Sequence, residues 1–157
     1  MIIQIDTREK ARAIRSIVAE FDRQGIQHIS SKLYAGDYIA LENPLLIIDR
    51  KQTIRELATN ATSGRRRVEA ELDKVKQIGA VLIFLVEEAT IKGKPIKSIE
   101  DLMDWTPRQG TGTVSGYRVY RTLYSWTIHY PVRFEFCKRS ESGNRIIEIL
   151  KEGINDR

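Results

Sequence analysis

One cysteine, Cys137, is all the chain has, so no internal disulfide can form. That composition suits a reducing compartment, and the expectation is a cytoplasmic protein. Two distant histidines beside that one cysteine are too few for a structural zinc site. The longest apolar run, Ala80 to Val86, is far too short to cross a bilayer. Repeats, low-complexity tracts and a signal-peptide pattern are also missing. What remains is a globular chain of 157 residues, read as one domain with room for a substantial core.

The net charge of +5 leans toward an anionic partner. Its distribution says more than its total. Residues 1–50 carry seven basic and seven acidic side chains, and residues 80–157 carry twelve and ten. Residues 51–79 carry seven basic against four acidic. The excess is densest just after Asp49-Arg50-Lys51.

That motif and Gly36-Asp37-Tyr38 hold the chemistry. Tyr38–Leu41 and Leu45–Ile48 read as the strands of a hairpin. A three-residue loop centred on Asn43 would set Asp37 opposite Asp49, with Cβ atoms roughly 5 Å apart. Two carboxylates so close repel unless a cation lies between them. Lys51, two residues beyond Asp49, shares its face. Two hard oxygen donors and one ammonium are the groups of a metal-dependent phosphodiesterase.

The rest of the pattern alternates strands and helices. Strands are expected at Ile2–Ile5, Ile26–Tyr34, Val81–Val86 and Val132–Cys137. Helices are expected at Glu9–Arg23, Thr53–Asn60, Gly64–Ile78 and Thr113–His129, with a last one capped by Ser142. Asp6 or Thr7 would cap the first. Residues 106–112, with Gly110-Thr-Gly112, read as a mobile loop and not a phosphate loop. These elements make an α/β domain of three layers around a mixed sheet.

With Ile5-Asp6-Thr7-Arg8-Glu9 upstream and Gly64-Arg65 downstream, the ordered motifs resemble the XPF-type structure-specific endonucleases, a branch of the restriction-endonuclease-like, PD-(D/E)XK superfamily. The resemblance covers about Ile3 to Leu150. It implies one nuclease domain over residues 1–157, without a helicase or helix-hairpin-helix module. It implies Mg²⁺, with Mn²⁺ as substitute, held by Asp37, Asp49 and the Arg50 backbone carbonyl, with Asp6 a candidate further ligand. Asp6, Glu9, Asp37, Asp49 and Lys51 become the catalytic candidates, and Arg8, Arg50, Arg65 and Arg66 the DNA-binding ones. The implied substrate is branched DNA: a flap, a fork or a Holliday junction. A homodimer through residues 113–150 is implied too. A solitary nuclease domain would gain specificity from dimerisation, from a partner protein or from its own loops such as 92–112, and its small size suits a nucleoid-associated or phage-infected cytoplasm. A non-catalytic DNA-binding scaffold subunit and a sequence-specific restriction-type nuclease are the alternatives. Two positions depart from the family pattern. Asp49 stands where glutamate is usual, and Arg55 stands where an acid is expected, with Glu56 next door.

Overall fold

The structure, a computed structural model, describes residues 1–107 and 114–157. The reading of Gly110-Thr-Gly112 as a mobile loop lies outside the described residues.

The strands are β1 (Ile2–Ile5), β2 (Gln27–Ser30), β3 (Tyr38–Ala40), β4 (Asn43–Lys51), β5 (Val81–Val86), a small hairpin of β6 (Thr90–Ile91) and β7 (Lys94–Pro95), and β8 (Val132–Phe136). Six of them form one sheet in the order β2-β1-β3-β4-β5-β8. The β1–β3 and β3–β4 pairs are antiparallel, and the others are parallel. The helices are α1 (Arg15–Arg23), α2 (Ile54–Ala61), α3 (Arg65–Gln77), α4 (Gly116–His129) and α5 (Ser142–Asn155).

Side-chain alternation divides the core into two. Along β5, Leu82, Phe84 and Val86 join one cluster with Leu57 of α2, Leu72 of α3 and Trp126 of α4. Ile83 and Leu85 join the other, with Ile17 and Phe21 of α1 and Ile146 and Leu150 of α5. The wholly apolar run Val81–Val86 is thus buried on both faces, as a strand between two helical layers must be. The same parity governs β4, where Ile47 faces the α2–α4 layer and Ile48 the α1–α5 layer. Extended two residues at a time, Asp49 and Lys51 belong to the first face and Arg50 to the second. This three-layer mixed sheet is the expected architecture.

The structure corrects five expectations. The first helix starts at Arg15, not Glu9. Asp6 does not cap it, because its carboxylate is buried and accepts the N–H groups of Arg8 and Leu33. The second strand stops at Ser30, where β1 runs out of partners at Ile5. The hairpin turns at Leu41-Glu42, with Ala40 opposite Asn43 and a register shift before Tyr38 meets Ile48. That shift restores the Asp37–Asp49 alignment by another route. Lastly, Ser142 is the first residue of α5 and not its cap. Its hydroxyl donates instead to Glu87, at 2.7 Å.

Candidate active site

Asp37 is aimed by a turn that only glycine accommodates. Gly36 has φ +67°, and a Cβ there would lie 2.4 Å from Ile47 Cγ2 and 2.9 Å from the Ile48 carbonyl oxygen. The Gly36 N–H donates to Glu71 of α3 at 3.1 Å. Three further bonds fix Asp37. Its N–H donates to the Ile48 carbonyl and its carbonyl accepts from the Asp6 N–H, both at 2.8 Å. Its carboxylate Oδ2 accepts the Arg50 N–H at 2.8 Å. Asp37 therefore sits beside Asp49 at the carboxyl end of β4. The Lys51 Nζ meets Asp49 Oδ1 at 2.9 Å and lies 5.6 Å from the centre of the Phe84 ring.

These groups floor a cleft of about 240 Å³ between β4, α2 and α3. Burial raises the Asp37 pKa most, and the charges of Asp49 and Glu9 raise it further, so it stands well above the ordinary carboxylate value. Burial also raises that of Asp49, against the opposing pull of the Lys51 ammonium. For Lys51, burial favours loss of the proton, yet the adjoining carboxylates outweigh it and the pKa is raised. A protein that holds two buried, mutually repelling carboxylates is primed for a cation.

Among the described residues, no three acidic, histidine or cysteine side chains converge to enclose a metal. That donor set still fits Mg²⁺, which usually keeps water ligands and takes one or two protein carboxylates plus substrate phosphate oxygens. It does not fit zinc or another ion that needs a full protein cage.

The remaining candidates separate. Glu9 borders the cleft, but both its oxygens are engaged by Arg50, and Oε1 also accepts the Tyr38 hydroxyl. Asp6 lies outside the cleft lining and is wholly buried. Hydrogen bonds from Arg8 and Leu33 outweigh its burial and hold its pKa below the ordinary value. Arg8 does line the cleft. Arg50 is 6% exposed and its guanidinium lies between Glu9 and Glu87, so its donors are engaged within the protein. Arg50 still borders the cleft, while the β4 alternation sends its guanidinium toward Glu87 and Ser142 on the α1–α5 side. Arg65 pairs with Glu69 one turn on, at 2.7 Å, and lines a different groove. Arg66 is exposed and lines neither, whereas Arg67 lines the cleft.

Sequence reasoning missed Glu71 and Asn60. Glu71 reaches Gly36 across 35 residues, a contact no local pattern announces. Asn60 left a trace: a polar residue within the apolar stripe Ile54, Leu57, Ala58 and Ala61 of α2. It is 6% exposed, its Oδ1 has no hydrogen-bond partner, and it lines the cleft. Glu56 lines the cleft too, while Arg55 faces a separate pocket beside Trp105.

The model of the ERCC4 domain family matches residues 5–150. No curated protein matches the chain. Among solved structures, XPF from Aeropyrum pernix superposes with a TM-score of 0.68 at 19% identity, over 98% of this chain and 65% of that one. XPF from Aeropyrum pernix in complex with DNA gives 0.66 at 19% identity, over 99% and 66%. At that identity the likeness is one of fold, and this chain spans about two thirds of the length of those structures.

Proposed function

The chain belongs to the ERCC4 domain family, and on that premise we propose that it is a Mg²⁺-dependent endonuclease that hydrolyses phosphodiester bonds in branched DNA. The observation that carries this reading is the buried Asp37–Asp49 pair beside Lys51 on the floor of an open cleft. DNA as the substrate rests on the family and on the fold shared with a protein whose structure contains DNA.

In this reading Asp37, Asp49 and the Arg50 carbonyl hold the cation, and Mn²⁺ substitutes for Mg²⁺. When bound, the ion activates water and offsets the charge that builds on the phosphate. The Lys51 ammonium donates to a non-bridging phosphate oxygen or orients the nucleophilic water. Arg8 and Arg67, on the cleft wall, hold the flanking backbone. Asp6 and Glu9 act through others: Asp6 braces the Arg8 turn, and Glu9 braces Arg50.

Cleavage of labelled flap, fork, nicked and four-way-junction DNA with Mg²⁺ tests the reading. Asp37→Asn and Asp49→Asn should each abolish cutting while the protein still folds and shifts DNA in a gel. A wild type that shifts DNA but stays inert with both Mg²⁺ and Mn²⁺ is a scaffold subunit. Cutting of linear duplex at fixed sequences, indifferent to branching, identifies a restriction-type nuclease.

Pairing of two copies through residues 113–150 is part of the same proposal. It is supported by Tyr124 and Ile128, which leave 49% and 61% of their surface exposed on one side of α4. Ile128→Asp should convert a dimer to a monomer in light scattering. A wild type that is already monomeric at high concentration ends the dimer proposal.

A further inference from the structure

The helix α3 opens with three consecutive arginines, and the first and third face different grooves. Arg67 lines the acidic cleft. Arg65 lines a second groove of about 410 Å³, shared with Tyr117, Arg118, Arg121, Thr122 and Ser125 of α4. Residues two apart on a helix diverge by about 200°, so the first turn of α3 forms the wall between the two grooves.

The second groove is cationic and partly set in place. No acid lines it. Between Gly116 and His129, α4 carries Arg118 and Arg121 and no acidic residue. The fully buried Trp126 donates its indole N–H to Glu69 Oε1 at 3.0 Å. Arg65 Nε donates to the same oxygen at 2.7 Å. Glu69 is thereby fixed from below and orients Arg65, whose terminal nitrogens remain as donors. The Arg121 guanidinium lies 5.9 Å from the centre of the Tyr117 ring. Three guanidinium forks beside the hydroxyls of Tyr117, Thr122 and Ser125 make up the donor set that recognises phosphodiester oxygens.

We propose that this groove holds a backbone phosphate of a second DNA segment, remote from the scissile bond, so that two strands part on either side of the α3 amino terminus. A branch presents two such diverging backbones, and a linear duplex does not. The proposal rests on the reading of the chain as a DNA enzyme and assigns Arg118 and Arg121 to the arm that is not cut.

The test measures binding of a fluorescent flap and of a linear duplex across a salt series, with Ca²⁺ in place of Mg²⁺. The variants are Arg118→Ala/Arg121→Ala and Arg118→Lys/Arg121→Lys. On the flap, the alanine pair should weaken binding and shallow the slope of log K against log salt by about 2, and the lysine pair should restore it. The linear duplex should show a smaller change. Arg121 lies seven residues from Ile128, on the α4 side proposed for pairing, so molecular mass in light scattering is read alongside and should stay constant. An unchanged slope on the flap overturns the proposal and leaves both arginines as solvated surface. An equal change on both DNAs overturns the two-arm geometry. A fall in mass with no separate loss of DNA binding assigns the groove to subunit pairing instead. If the wild type binds neither DNA, the DNA reading fails and takes the groove with it. If the wild type binds and the variants match it, the groove alone fails.

Discussion

Glu9 grips Arg50 through both carboxylate oxygens, Oε1 to Nε at 2.8 Å and Oε2 to Nη2 at 3.0 Å. The other side of the guanidinium donates to Glu87, whose second oxygen accepts the Ser142 hydroxyl. One cation thus joins the turn before α1, the end of β5 and the start of α5. Burial disfavours the charged form of Arg50, but Glu9 and Glu87 more than offset it and raise its pKa. Removing the cation leaves two carboxylates with little exposure and no counter-charge. Arg50→Met, which keeps much of the volume, should destabilise the fold by about 3–5 kcal/mol, read from urea unfolding. A midpoint equal to wild type would remove Arg50 from the list of structural residues.

The Asp37 carboxyl carries a pH dependence of known sign. Its pKa is raised, so between about 4 and about 8 the folded protein holds a proton that the unfolded chain has lost. Stability in EDTA should therefore fall as pH rises through that window. Asp6, with its lowered pKa, contributes in the opposite sense at the acid end. The difference between wild type and Asp37→Asn isolates the first effect. The variant should melt higher than wild type at pH 8 in EDTA and close to it near pH 4. Mg²⁺ or Mn²⁺ should raise the wild-type melting temperature at pH 8 and leave Asp37→Asn nearly unmoved. A metal-induced rise of equal size in both proteins would take Asp37 out of the cation site.

Two glycines with the same φ of +67° make a controlled pair. At Gly25, an added Cβ has no atom within 4 Å, so Gly25→Ala meets only the left-handed backbone penalty of about 1–2 kcal/mol. At Gly36, the same Cβ runs into Ile47 and the Ile48 carbonyl oxygen. Gly36→Ala should cost more, in total about 2–4 kcal/mol by adding local strain to the backbone term. It should also cut cleavage further than its stability loss explains, because the turn aims Asp37. Equal melting shifts for the two variants would show that Gly36 is not tightly packed.

The legible parts of the fold and site were those written in short-range periodicity. The apolar run at β5 announced burial on both faces, and the two-residue spacing of Asp49 and Lys51 announced a shared face. Gly36 before an acid announced a turn. What stayed hidden depends on partners distant in the chain. Asp6 reads locally as a cap or a ligand, but Leu33, 27 residues on, donates its N–H to the carboxylate. Arg50 borders the cleft with its motif neighbours, but its guanidinium is taken up by Glu9 and Glu87, 41 and 37 residues away, which no local pattern announces. Arg65 fitted the motif, yet a helix rotates by about 100° per residue, and the arginine that reaches the cleft is Arg67.

The same rotation decides which residue of α2 serves the cleft. The family pattern puts an acid where Arg55 stands, and Arg55 faces away, into a pocket beside Trp105 and Val114. Glu56 lines the cleft. Its N–H donates to Thr53 Oγ1 at 3.1 Å, and its own carboxylate accepts the Gln52 N–H at 2.9 Å. These two bonds start α2 and point the Glu56 side chain back toward Lys51. Glu56→Gln keeps an acceptor at that position, so the melting temperature should change little. It removes a negative charge that acts on both Asp49 and Lys51. Cleavage should fall by about 10–100-fold, with more Mg²⁺ needed for half-maximal rate, as when an outer partner of a metal site is lost. Arg55→Ala should cut normally. The opposite pattern, with Arg55→Ala impaired and Glu56→Gln intact, would mean that the charge serving the site comes from elsewhere and that Glu56 only caps its helix.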